Sequence, residues 1–191
     1  DELNTYPLAE YVNIVQMSPD ASRVAFADEN GQIQVLNFQT GEKTAIYDNN
    51  KHYAYPKWSP DGSKLLYQSG NIFVYDFDNQ TEYLLDEGLA PSWSPNSENI
   101  IYHKIQSEDF VFQGSELWMA SFDNTSVYQL TQTNNRHEMG ARFLDENTIV
   151  FHTYNQRSII QASLTENNEL SAEQILHIHT QPLEIDYFST E

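Results

Sequence analysis

The densest group of reactive side chains in this chain is Arg136-His137-Glu138, with Arg142 close behind it. A second group, His52-Tyr53 with Tyr55, lies far upstream. Imidazole and carboxylate together can hold a divalent metal, while guanidinium, imidazole and phenol can grip the polar groups of a partner. Brought together, His52, His137 and Glu138 would make a binding or metal site. Such mixtures are more often polar surface residues bonded to nearby turns. That plainer reading is preferred, and no residue is assigned as a metal ligand, cofactor ligand or catalytic group. His177 and His179 alternate onto one face of an extended strand, but two imidazoles without a third donor do not make a zinc site. The carboxylate pairs Asp28-Glu29, Asp86-Glu87 and Asp145-Glu146 read as solvated loops. Asn79-Gln80-Thr81 and Asn124-Thr125-Ser126 match the glycosylation acceptor, a short pattern common by chance. No Gly-x-Ser-x-Gly occurs, so the nucleophile elbow of the hydrolases is missing. Cysteine is absent, which excludes disulfides and thiolate chemistry.

Charge narrows the partners. Over 191 residues, 9 Lys and Arg stand against 28 Asp and Glu, a formal net charge of −19. A surface this negative repels phosphate, so nucleic acid and anionic lipid are not expected partners. Hydrophobic residues at 39% are enough for a packed core, and no run of 18 apolar residues suggests membrane insertion. The chain begins at Asp1, as expected of a processed product or an excised piece.

Any site must be positioned by elements that repeat. Gln16-Met17-Ser18-Pro19-Asp20, Lys57-Trp58-Ser59-Pro60-Asp61-Gly62 and Ser92-Trp93-Ser94-Pro95-Asn96 share a pattern, with a degenerate copy at Arg142-Phe143-Leu144-Asp145-Glu146. A truncated copy starts at Asp186-Tyr187-Phe188-Ser189. The large apolar members Met17, Trp58, Trp93, Phe143 and Phe188 are spaced by 41, 35, 50 and 45, around the length of one four-stranded propeller blade. After each Ser-Pro-Asp turn come three short apolar runs divided by turns. In the second unit these cover 64–67, 71–77 and 82–85. Pro presets a type I turn, Asp or Asn accepts local backbone bonds, and Gly62 suits the left-handed position. Apart from a weak helical turn at 165–173, the pattern is all-β. His103 and His152 occupy matching places in adjacent units, so repetition alone accounts for them.

This unit, Trp58-Ser59-Pro60-Asp61-Gly62 followed by Ile72-Phe73-Val74-Tyr75-Asp76-Phe77, resembles the WD40-like repeat of the TolB family. Similar repeats build the propellers of prolyl oligopeptidase-type peptidases and oligogalacturonate lyases. The copy at 57–85 is best, 92–130 good, 16–47 fair, and 142–177 matches by register only. The resemblance implies one β-propeller domain over 1–191. Its four recognisable four-stranded blades fall at about 12–50, 54–88, 90–135 and 140–180, with a partial blade at 183–191. The partial units imply a piece of a larger propeller, or a small one closed through its ends or by a second copy. Open blade edges would favour oligomers. It also implies a non-catalytic protein-interaction or sensor module in the periplasm or outside the cell, with a protein or peptide partner and no cofactor. The alternative is a metal-dependent, lyase-like enzyme acting on polysaccharide through a rim site. The segments before each first strand would form the partner-binding rim: His52, Tyr53 and Tyr55, then Arg136, His137, Glu138 and Arg142. The insertion at 105–114 carries Phe110 and Phe112, which either anchor a protein partner or lengthen a hairpin.

Overall fold

A computed structural model describes residues 13–46, 54–133 and 136–178. Ala9-Glu10-Tyr11, His52, Tyr53, His179 and the partial blade at 183–191 lie outside them. Sixteen strands form four four-stranded antiparallel meanders. Blade 1 contains β1 (Asn13–Met17), β2 (Arg23–Ala27), β3 (Ile33–Asn37) and β4 (Lys43–Ala45). Blade 2 contains β5 (Ala54–Trp58), β6 (Lys64–Ser69), β7 (Asn71–Asp76) and β8 (Thr81–Glu87). Blade 3 contains β9 (Leu89–Trp93), β10 (Asn99–Glu108), β11 (Val111–Ser121) and β12 (Val127–Gln129). Blade 4 contains β13 (Glu138–Asp145), β14 (Thr148–Thr153), β15 (Ser158–Leu164) and β16 (Leu170–Ile178). The described residues contain no helix. The expected helical turn at 165–173 is a tight turn at Thr165–Asn168, closed by a 2.9 Å backbone bond, leading into β16. The polar stretch pairs with β15 because that strand offers an open ladder.

The second strand of each blade reads as a continuous apolar run because both its faces are covered. In β6, Leu65 and Tyr67 pack toward blade 1 with Ala25, Val35 and Trp58, while Leu66 packs toward blade 3 with Trp93 and Tyr102. In β10, Ile100 joins the cluster shared with blade 2, and Ile101 joins the one shared with Phe151 and Ala162 of blade 4. Side chains of opposite parity therefore serve opposite neighbours.

The Ser-Pro-Asp turns behave as their residues demand. Ser59 Oγ donates to Asp61 Oδ1 at 2.5 Å and accepts from Lys64 N at 2.9 Å. Ser18 and Ser94 do the same with Asp20 and Asn96. The fourth turn residue is left-handed in all three: Ala21, Gly62 and Ser97 at φ 56°, 75° and 65°. The two tryptophans that precede these turns then tie their blades to the preceding ones. Trp58 Nε1 donates to Gln16 O at 2.9 Å, and Trp93 Nε1 to Lys57 O at 3.1 Å. Phe143 of blade 4 has no such donor. Replacing Trp93 by Phe should keep the fold, since Phe143 holds the same register, and lower unfolding free energy in urea by about 1–2 kcal/mol through the orphaned carbonyl.

Each first strand also carries a β-bulge at the same repeat position. Ile14, Tyr55, Ala90 and Gly140, each three residues before Met17, Trp58, Trp93 and Phe143, have φ of 51°, 61°, 50° and 63°. There two residues face one on the neighbouring strand. Pro56 and Pro91 follow Tyr55 and Ala90, positions where a missing ladder donor costs little.

Candidate functional site

The expected rim residues divide into two kinds. Arg136 and Glu138 hold the structure together. The Glu138 side chain is wholly buried at the start of β13. It accepts from Arg136 Nε at 2.8 Å and Thr133 Oγ1 at 3.0 Å. Arg136 also reaches Glu173 of β16 with both terminal nitrogens, at 2.5 and 2.8 Å, clamping first strand to last across blade 4. Thr133 N donates to the buried Glu116 of β11 at 2.9 Å. Burial, with Glu116 nearby, holds the Glu138 carboxyl above its ordinary range despite these donors.

His137 points elsewhere. Its ring meets Phe112 edge-on at 5.0 Å between centroids. Among the described residues, no three histidines or carboxylates cluster in a way that could hold a metal. Tyr55 is 60% exposed at its bulge, and Arg142 is exposed on β13. Asp86-Glu87 is corrected from loop to strand. It ends β8, and Asp86 accepts from Tyr102 Oη and Lys104 Nζ, both at 2.6 Å, because the buried phenol needs an acceptor.

The insertion lengthens a hairpin, the second of its two readings. β10 and β11 pair out to Glu108↔Val111, so it is a long hairpin, and its tip is bare: Phe110 is fully exposed. Beneath the tip, Ile105, Phe112, Met139 and Tyr154 line an apolar cleft of about 300 Å³ between blades 3 and 4. The sequence places Met139 in the rim segment that starts at Arg136 but does not join it to the hairpin, and it gives no sign of Tyr154, because both meet the hairpin only across the blade interface.

His103 and His152 also do more than repeat. His103, buried in β10, accepts from Gly140 N through Nδ1 at 3.4 Å. A Cβ at residue 140 would lie 2.8 Å from the His152 ring, so only glycine lets the bulge pass. Burial, then the charges of His152 and Arg142, push His103 down to about 4.

No family model matches the chain. It is 42% identical over 98 residues to WD repeat-containing protein 1 of Gallus gallus, an alignment covering 44% of this chain and 16% of that protein. The chain thus spans about a sixth of that relative's length. Among solved structures it superposes on a TolB-type protein of Agrobacterium tumefaciens, with TM-score 0.60 and 18% identity over 89% of this chain and 68% of that one. It also superposes on the tricorn protease, with TM-score 0.69 and 14% identity over 84% of this chain and 18% of that one. The fold is a TolB-like, WD40-like β-propeller. Its local sequence likeness is to WD repeats, and a fold shared with a protease does not by itself assign an activity.

The depressed His103 has a pH signature. Between pH 6.5 and about 4 the unfolded chain takes up a proton at this residue and the folded one does not. Stability therefore falls on acidification through that window. His103→Asn, which keeps an acceptor for Gly140 N, should lose less over the same interval, by roughly 3 kcal/mol at most, in urea titrations at each pH.

Proposed function

We propose that this propeller is a non-catalytic protein-interaction module that takes an apolar segment of a partner at the β10–β11 hairpin. The observation carrying this reading is the hairpin itself. In a chain of net charge −19 it offers Phe110 wholly to solvent above a cleft lined by Ile105, Phe112, Met139 and Tyr154. Exposed aromatic residues over a preformed apolar cleft are the anchors that peptide-binding surfaces use. The paired ladder below holds the tip rigidly, so little ordering entropy opposes binding. The acidic surroundings favour a neutral or basic segment around the anchor. A periplasmic or extracellular setting, and sensing there, is supported by the TolB likeness alone.

Selection of a random peptide library on the purified chain tests this. Enriched peptides should share an aromatic or large aliphatic anchor. Phe112→Ser and Ile105→Ser should each weaken them at least tenfold while leaving thermal unfolding within a few degrees of wild type. Failure to enrich any sequence, or binders indifferent to both substitutions, would refute the reading.

A further inference from the structure

The residue just before each blade's large apolar marker is Gln16, Lys57, Ser92 and Arg142 in turn. These stand at equivalent positions on the first strands β1, β5, β9 and β13, immediately after the bulges. No acid occupies this position, and two of the chain's few cations do. Lys57 and Arg142 converge on β9 from either side. Lys57 Nζ donates to Pro91 O at 2.7 Å, and Arg142 Nη1 donates to Ala90 O at 3.1 Å and to Ala141 O at 2.8 Å. The bulge at Ala90 presents these successive carbonyls to the two cations.

Neither cation has a carboxylate partner among the described residues, whose ion pairs fall on Lys64, Lys104 and Arg136. Arg142 Nε and Nη2, and the remaining ammonium hydrogens of Lys57, meet no acceptor there either. His103 of β10 and His152 of β14 lie within range of the Arg142 charge and add no negative charge of their own. Burial, then Arg142, pushes Lys57 down to about 8, so its ammonium is held against resistance at neutral pH. Two cations without carboxylate partners, one half-buried and one exposed, held at successive carbonyls of one bulge, are an arrangement an anion completes.

We propose that Lys57 and Arg142 form a binding site for a single carboxylate group presented by a peptide, either its free C-terminus or an acidic side chain. The planar guanidinium grips such a group bidentately, and the ammonium closes on it from the opposite side. Net acidity elsewhere repels polyanions, which restricts the site to one compact oxyanion. The site rests on different residues from the hairpin surface and stands without it.

Calorimetric titration of the intact chain with tetra-alanine, its C-terminal amide, acetate and phosphate tests the assignment. The free-acid peptide should bind saturably, at least tenfold more tightly than the amide. Lys57→Met and Arg142→Met should each abolish that binding, with Lys57→Gln as a polar control should either methionine variant unfold. Phe110→Ser should leave it unchanged, which separates this site from the hairpin reading. The NMR titration midpoint of Lys57 should rise when the peptide is bound. Acetate binding as tightly as the peptide overturns the peptide assignment, since the chain behind the carboxylate would then contribute nothing. The proposal is overturned by no saturable carboxylate binding, by phosphate binding alone, or by binding that survives loss of both cations.

Discussion

A β-sheet with apolar side chains on both faces has no stable existence alone; it needs a neighbour on each side. That constraint organises the molecule. Leu65 and Tyr67 leave β6 in one direction and Leu66 in the other, so blade 2 is defined by blades 1 and 3 together. Hydrophobic contact is non-directional and would allow the sheets to slide. The indole bonds from Trp58 to Gln16 O and from Trp93 to Lys57 O supply the missing direction, fixing each first strand against the one before. Cations on second strands add a further tie. Arg23 lies 4.6 Å from the Trp58 ring and Lys64 4.4 Å from the Phe122 ring, each over an aromatic of the following blade.

Blade 4 shows what happens when the pattern weakens. Phe143 fills the same wedge without a donor, and Leu144-Asp145 replaces Ser-Pro. Its attachment passes to other bonds: Ser115 Oγ to Glu138 O at 2.8 Å, and Arg142 to Ala90 O. The Arg136 clamp then fastens the long outer strand β16, whose face is largely exposed. A buried carboxylate such as Glu138 is tolerable only because Arg136 and Thr133 answer it, and this dense polar knot holds the crossover from β12 to β13 in place.

The architecture was legible because its signals are local. Turns preset by Pro19, Pro60 and Pro95 with Asp or Asn beside them, and the short apolar runs that recur between turns, are written in neighbouring residues. The bulges were less so. Ile14, Tyr55 and Ala90 are poor candidates for a left-handed backbone, and they take it at the bulges where two residues face one on the neighbouring strand. Pro56 and Pro91 inside strands were the available clue, together with Gly140. The site was harder still. Arg136, His137 and Glu138 are consecutive, yet alternation along an extended chain joins Arg136 to Glu138 and turns His137 away to Phe112. Met139 and Tyr154 meet Phe112, and His103 meets Gly140, only through packing between blades.

The two cations can be weighed against the repeat itself. If the fold required a positive charge after each bulge, all four blades would carry one; Gln16 and Ser92 show that it does not. Glutamine and serine occupy the same place without the burden of desolvating a charge, and both first strands form the same bulge. Lys57 and Arg142 tie blades 2 and 4 to blade 3 through their carbonyl bonds, but the bulge itself forms without a charge. Their bonds to backbone carbonyls position both head groups on one bulge and neutralise neither, since a carbonyl carries no net charge. In a chain with roughly three acids for each base, two adjacent cations free of carboxylates among the described residues are a costly placement. A neutral donor could make the same inter-blade bonds, so it is the charge, not the bond, that binding an anion accounts for.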